Sequence, residues 1–324
     1  MVHAPLEQGI GPIRQRRTAI STKKTDVNSN SFKIGVVCAS SRFSKERADA
    51  VEAWMAEHHP DRDVAVVFHP ACFLKHGHFA GDDRARADAF VEFANDPRID
   101  AIWFARGGYG SCRIAESVIP RLNAVARKKR YMGYSDAGSL LAGMYRAGFE
   151  HLAHGPMASD AVRRDEAARG ALAWLTTGRT DWIEPSLAID PRPAVAFNLT
   201  ILDQLVGTAL EPDLSGHVLM LEEVSEAAYR IDRMMFHLTG QESIRRVAGI
   251  RLGRVSDVTP NDPDFGQTPE EIVRYWCLRS GIEFLGPADI GHDDANKVAP
   301  FGRGWGEPPE TQKTQSRLDL PARA

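Results

Sequence analysis

Apolar and polar positions along the chain fall into two rhythms, runs of four to seven apolar residues and longer segments with helical spacing. Lys33-Ile34-Gly35-Val36-Val37-Cys38-Ala39 is a continuous apolar run, as expected of a strand buried on both faces. After Ser40-Ser41-Arg42-Phe43 turns the chain, residues 45–57 carry Ala48, Val51, Trp54 and Met55 on one helical face. A second strand is expected at 63–68, and a second helix at 82–95, opened by Asp82-Asp83 and built on Ala85, Ala87, Phe90, Val91 and Phe93. Further strands are expected at 101–104, in the run that ends at Gly133, and at 151–154. Strands alternating with helices of this length predict an α/β fold with a parallel, doubly wound sheet.

A helix over 160–176 is followed by a passage rich in Pro and Arg, around 180–193, which is the expected domain boundary. Beyond it the alternation is less regular. Strands are expected near 217–221 and 249–255, helices at 229–238 and 269–280, and short strands near 283, 297 and 317. The stretch 302–316 has the Gly/Pro/polar make-up of a surface loop. The predicted division is an extension over 1–30, an N-terminal α/β domain over 31–178 and a smaller, mixed C-terminal domain over 179–324. No internal repeat is present.

Composition narrows the function. The 324 residues are 43% hydrophobic with a formal net charge of -3, which gives no footprint for nucleic acid. No apolar run approaches the ~20 residues needed to span a membrane. Cys38, Cys72, Cys112 and Cys277 are widely spaced, so reduced thiols in a cytoplasmic protein are expected, with no disulfide frame and no metal site. Residues 1–30 are polar and basic and lack the apolar core of a secretory signal, so a disordered extension is expected ahead of a transit-like or nucleic-acid-binding arm. Asn198-Leu199-Thr200 fits a glycosylation pattern that has no meaning without secretion.

The candidate chemistry lies where strands end. In Tyr131-Met132-Gly133-Tyr134-Ser135-Asp136-Ala137-Gly138 a serine follows an apolar strand and precedes an apolar helix, the arrangement of a nucleophile elbow. An ordinary helix N-cap fits the same residues. Arg106-Gly107-Gly108-Tyr109-Gly110 follows the preceding strand, where its backbone N–H groups could meet an anion or an oxyanion, though tight packing alone also explains the glycines. Glu222 closes the apolar run Val218-Leu219-Met220-Leu221, and His292 follows Gly291 after the apolar segment 284–290, so each is expected at a strand end. His154, before Gly155-Pro156, fits either a structural or a pocket role. Arg230 and Arg233 begin a helix where either could meet a carboxylate, or merely form an intramolecular ion pair.

Taken in order, these pieces resemble the LD-carboxypeptidase family of serine peptidases, which includes muramoyl-tetrapeptide carboxypeptidases and microcin-C immunity peptidases. The resemblance is carried by F-A-G-D-D-x-x-R-A-x-A-F, A-I-W-F-A-R-G-G-Y-G, M-G-Y-S-D and H-G-P-M. Further along it is carried by N-L-T-I-L-D-Q-L-V-G-T, L-M-L-E-E-V-S-E-x-x-Y-R-I-D-R and G-H-D-D-x-x-x-V-A-P-F-G. It implies a flavodoxin-like or amidotransferase-like N-terminal domain, a smaller β-rich C-terminal domain and a cleft between them. It further implies Ser135 as nucleophile, His292 as base, Glu222 as its partner, and an oxyanion hole from the N–H groups of Asp136, Gly107 and Gly108. Tyr109, Tyr134, Asn198 and Arg230 are the candidate substrate contacts. No cofactor is implied. The implied partner is a small peptide, either a muropeptide or a peptide-nucleotide antibiotic, and a homodimer is among the expected assemblies. A non-catalytic peptide-binding protein on the same fold is the alternative from another class. Two departures bear on substrate: Ala196-Phe197 stands where the family usually has Gly-Gly, and Glu223 where it has Asp.

Overall fold

The computed structural model describes residues 31–58 and 63–302. The expectations for residues 1–30, for a strand near 317 and for nearly all of the 302–316 loop lie outside them. Within 31–178 the chain forms β1 (Phe32–Val37), α1 (Lys45–His58), β2 (Val64–Phe68), α2 (Asp83–Asn95), β3 (Ala101–Phe104), α3 (Cys112–Val118), β4 (Arg130–Gly133), α4 (Gly138–Arg146), β5 (Leu152–His154) and α5 (Asp165–Thr177). The sequence expectation lacked only α3, a short helix hidden behind the glycine turn.

β1 to β5 pair in parallel, and β10 (Ala299–Pro300) joins antiparallel to β5, giving the order β10-β5-β4-β3-β1-β2. This is the flavodoxin-like doubly wound order. The apolar runs are apolar on both sides because both faces are covered. Ile34, Val36, Trp103 and Met132 pack towards α1 and α5, whereas Val37, Ile102, Phe104 and Tyr131 pack towards α2, α3 and α4. Each large apolar side chain so buried contributes roughly 1.5–3 kcal/mol, which makes the sheet a stiff platform.

The later chain forms β6 (Ala194–Asn198), α6 (Leu199–Leu205), β7 (Val218–Val224), α7 (Ala228–Gly240), α8 (Glu242–Arg245), β8 (Gly249–Ser256), α9 (Pro269–Ser280) and β9 (Phe284–Pro287). Their four-stranded sheet, β6-β7-β8-β9, is parallel throughout. The alternation is therefore more regular here than the hydrophobic pattern suggested. β6 was obscured because it follows two prolines, has alanine at two of its five positions, and passes into α6 without a loop: Asn198 ends the strand and caps the helix, accepting from Ile201 N at 3.2 Å. α9 is delimited as its sequence requires, by a Thr268/Glu271 capping box with Pro269 at its start and Gly281 at φ 75° at its end. One apolar cluster runs from Phe90 and Leu140 through Leu199 and Leu219 to Met235 and Ile272, spanning the helices between the two sheets.

Candidate active site

In a doubly wound sheet, ligands collect beyond the carboxyl ends of the strands, next to the point where strand order reverses. Here that point lies between β1 and β3, and a single buried carboxylate gathers the chain around it. Asp136 Oδ2 accepts from Ser111 N at 2.8 Å and from the Ser40 hydroxyl, and its Oδ1 accepts from Gly110 N at 3.1 Å. Its own carbonyl accepts from the Ser111 hydroxyl. Segments following β1, β3 and β4 are thereby tied to one side chain. Arg86, fully buried, fixes the same turn from α2 by donating to Gly110 O at 2.8 Å and to Ala39 O. Gly110 has φ 130°, and a Cβ there would stand 2.8 Å from the Arg86 guanidinium.

Ser135 sits between β4 and α4 at the head of the 3-10 turn Ser135–Ala137, with φ 56°. A non-glycine residue in this region carries strain of roughly 1–3 kcal/mol, sustained here by the buried elements on either side. The conformation is that of a sharp strand-to-helix elbow and not of an N-cap, since Ser135 lies at positive φ and the N-cap position of α4 is Ala137, which makes no side-chain cap. Gly107 closes against it: a Cβ on Gly107 would stand 3.0 Å from Ser135 Oγ. The N–H groups of Gly107, Gly108 and Asp136 make no hydrogen bond to another described residue.

Glu222 and His292 come from the second sheet and from the loop that leaves it. Glu222 is fully buried within β7, not at its end, opposite a β-bulge where Leu221 pairs with Leu252 but Glu223 with Val255. Gly253 provides the room, since a Cβ there would stand 3.0 Å from Glu222 Cβ and 2.7 Å from Ile290 O. Glu222 Oε2 lies 2.5 Å from His292 Nδ1, and its Oε1 lies 3.7 Å from Nε2 of the buried His154. Burial by itself would raise Glu222, but the two histidines outweigh it and hold the carboxyl down at about 2. Burial pulls His292 the other way, yet its bond to Glu222 prevails and its pKa is raised above the ordinary value. An ionised Glu222 can only accept, so Nδ1 carries the proton and Nε2 of the neutral ring is free to accept.

His292 is not a strand cap. It lies five residues beyond β9 in a loop held from two sides. Arg254 bonds Asp289 at 2.5 Å and also Asp293, while Arg164 donates to His292 O at 2.6 Å and to the Tyr134 hydroxyl at 3.0 Å. The Tyr134 ring packs against both histidines, with centroids 4.7 Å from His292 and 5.5 Å from His154. Ser135, Gly107, Gly108 and His292 line one cavity of about 490 Å³. Ser135 Oγ and His292 are not hydrogen-bonded to each other there, a looseness common in unliganded sites.

The other expected contacts divide. Tyr134 adjoins this site, and Tyr109 stands exposed beside it, against Phe79 at 6.1 Å. Asn198 is buried and engaged, donating to Glu223 Oε1 at 2.8 Å besides capping α6. Arg230 lines a separate cavity with Tyr229 and Phe265, 3.4 Å from Glu226. Phe197 does not intrude on the cavity either, since its ring is buried against Phe301 at 5.2 Å. Glu223, the longer acid, holds the start of α6 through Thr200 N at 2.8 Å. Arg164, the carboxylate of Asp136 and the His154–Glu222 contact escaped the sequence reading. Only His154, before Gly155-Pro156, carried a local signal. All four cysteines are free thiols, no described helix is long and apolar enough to cross a membrane, and no metal-binding cluster occurs among the described residues.

A serine beside free backbone donors and a histidine polarised by a buried carboxylate is equipped for acyl transfer through an oxyanion. Two family models match the chain: the LD-carboxypeptidase N-terminal domain over residues 34–155 and the LD-carboxypeptidase C-terminal domain over 193–305. The chain is 27% identical to a probable murein peptide carboxypeptidase of Bacillus subtilis, over 83% of this chain and 86% of that one. Its fold resembles the crystal structure of muramoyltetrapeptide carboxypeptidase from Oxalobacter formigenes, with TM-score 0.70 and 22% identity over 83% of this chain and 92% of that one. It also resembles the microcin C7 self-immunity protein MccF in complex with aspartyl sulfamoyl adenosine, with TM-score 0.69 and 18% identity over 84% of this chain and 91% of that one.

Proposed function

Because the chain belongs to the LD-carboxypeptidase family of peptidases, we propose that it hydrolyses an LD-amide bond near the carboxyl end of a small peptide, with Ser135 as its nucleophile. The observation that carries this reading is His292, 2.5 Å from the buried Glu222 and lining the same cavity as a strained Ser135. In the proposed sequence, Ser135 Oγ attacks the scissile carbonyl as His292 Nε2 takes its proton. Glu222 holds the ring in the productive tautomer and stabilises the imidazolium. The N–H groups of Asp136 and of the Gly107-Gly108 turn receive the negative charge on the carbonyl oxygen. His292 then protonates the leaving amine, and water, activated by the same nitrogen, hydrolyses the acyl-serine.

The substrate we favour is a muropeptide from which a terminal D-amino acid is released, as in cytoplasmic cell-wall recycling, because the murein carboxypeptidase relative is matched over most of both chains. A second reading, supported by the likeness to MccF, is an amide in a peptide-nucleotide antibiotic. Purified protein incubated with an LD-tetrapeptide, other muropeptides and a microcin-type conjugate, with products weighed by mass spectrometry, decides between them. Ser135→Ala is expected to abolish release of the D-residue, a loss of roughly 10³-fold or more. Undiminished cleavage would remove Ser135 as nucleophile, and peptide binding without turnover by the wild type would favour a binding protein.

A further inference from the structure

Arg106 connects β3 to Gly107 and lines the Ser135 cavity. Its guanidinium is half-buried and forms no hydrogen bond or ion pair with any described residue. Other arginines of this region are engaged: the fully buried Arg86 bonds Asp83, Ala39 and Gly110, and the half-buried Arg164 bonds Asp160, Tyr134 and His292. Arg47, from α1, faces the same cavity and likewise has no acidic partner among the described residues. Burial, and then the like charge of Arg47, weigh against the cation at Arg106. Of the acids on this cavity, Asp160 is held by Met157 N at 2.8 Å and by Arg164, and Glu46 forms no ion pair with Arg106. A half-buried guanidinium with no partner, beside a second one, suits an anion supplied from outside the chain.

The place of Arg106 indicates which anion. When the last residue of a peptide leaves, its carboxylate carbon is three bonds from the scissile carbonyl carbon, within about 4 Å. A cation that reads it must stand next to the nucleophile and not at the cavity mouth. Arg106 lines the same cavity as Ser135 and its neighbour Gly107 abuts the Ser135 side chain, whereas Arg47 and Arg163 are exposed at the rim. We propose that Arg106 binds the free α-carboxylate of the departing residue and so restricts cleavage to the carboxyl terminus, with Arg47 adding to the positive potential. The proposal rests on the peptidase reading above.

The test compares an LD-tetrapeptide as free acid and as carboxamide, on wild type, Arg106→Gln and Arg106→Lys, with thermal melts to establish folding. Wild type is expected to prefer the acid in kcat/KM by roughly 10–100-fold, Arg106→Gln to lose that preference by failing only on the acid, and Arg106→Lys to recover part of it. Equal rates on acid and amide in the wild type, or an equal fall on both in Arg106→Gln, would overturn the subsite and leave the peptidase reading standing. Calorimetric binding of both peptides to Ser135→Ala, with and without Arg106→Gln, makes the same comparison without turnover. If the wild type cleaves neither peptide, the peptidase reading fails, and an acid preference in binding that needs Arg106 still upholds the subsite; no such preference overturns it.

Discussion

At the scale of the residue, the proposed chemistry turns on the protonation of His292. Its pKa is raised by Glu222 against the effect of burial, and as a base it works only when neutral. Activity is therefore lost as pH falls through a value above the ordinary histidine pKa of about 6.5, and the acid limb of kcat/KM is expected on the alkaline side of that figure. Glu222→Gln removes the cause of the rise and leaves burial, so the limb should move to lower pH while the rate falls by roughly 10⁴-fold, the tautomer no longer being held. A pH–rate profile of both proteins checks the sign; an unmoved limb would mean that another group titrates. Ser135, Glu222 and His292 each stand beside an abrupt change of local pattern, which made them candidates among alternatives, and it was the resemblance that joined them into a triad. Asn198, a candidate substrate contact, is engaged as a buried cap, and a cap and a ligand contact demand the same amide. Arg164 had no local signal at all: its contact with His292 crosses 128 positions of the chain.

At the scale of the element, most strands and helices followed the hydrophobic rhythm, which failed at the short α3 behind the glycine turn and where strand and helix abut, as at Asn198. The bulge in β8 was likewise invisible, because its cause is the buried Glu222 on the neighbouring strand. Gly253 is not there for backbone freedom but to leave space beside Glu222 and the carbonyl of Ile290, two residues before His292. Gly253→Ala puts a methyl 2.7 Å from that carbonyl, so β8 or the His292 loop has to shift. Such overpacking costs about 1–3 kcal/mol, and a 1 Å displacement of reacting groups costs roughly 10²-fold in rate. The variant is expected to melt several degrees lower and to lose kcat far more than KM. A normal kcat at a lowered Tm would show that the bulge serves stability alone.

At the scale of the whole molecule, the proposed nucleophile Ser135 follows a strand of one sheet, and His292, its proposed base, lies on a loop that leaves the other. That loop runs from β9 in the second sheet to β10 in the first, where Ala299 pairs with His154. Both ends of the His292 segment are thus fixed, one to each sheet, and its middle is fixed by Arg164, which also holds the tyrosine preceding Ser135. Its ion pair with the exposed Asp294 is worth little, whereas that with the buried Asp160 helps to hold Arg164 itself, so the importance of Arg164 lies in registering the proposed base against the proposed nucleophile. Arg164→Gln is expected to lower kcat by roughly 10–100-fold, with KM nearly unchanged and a drop in Tm of only a few degrees. Tyr134→Phe, which removes one of the bonds to Arg164 but leaves its bond to His292 O, should cost less than about threefold. Equal losses in the two variants, or a loss confined to KM, would locate the function of Arg164 in substrate binding and not in holding the two sheets' contributions in register.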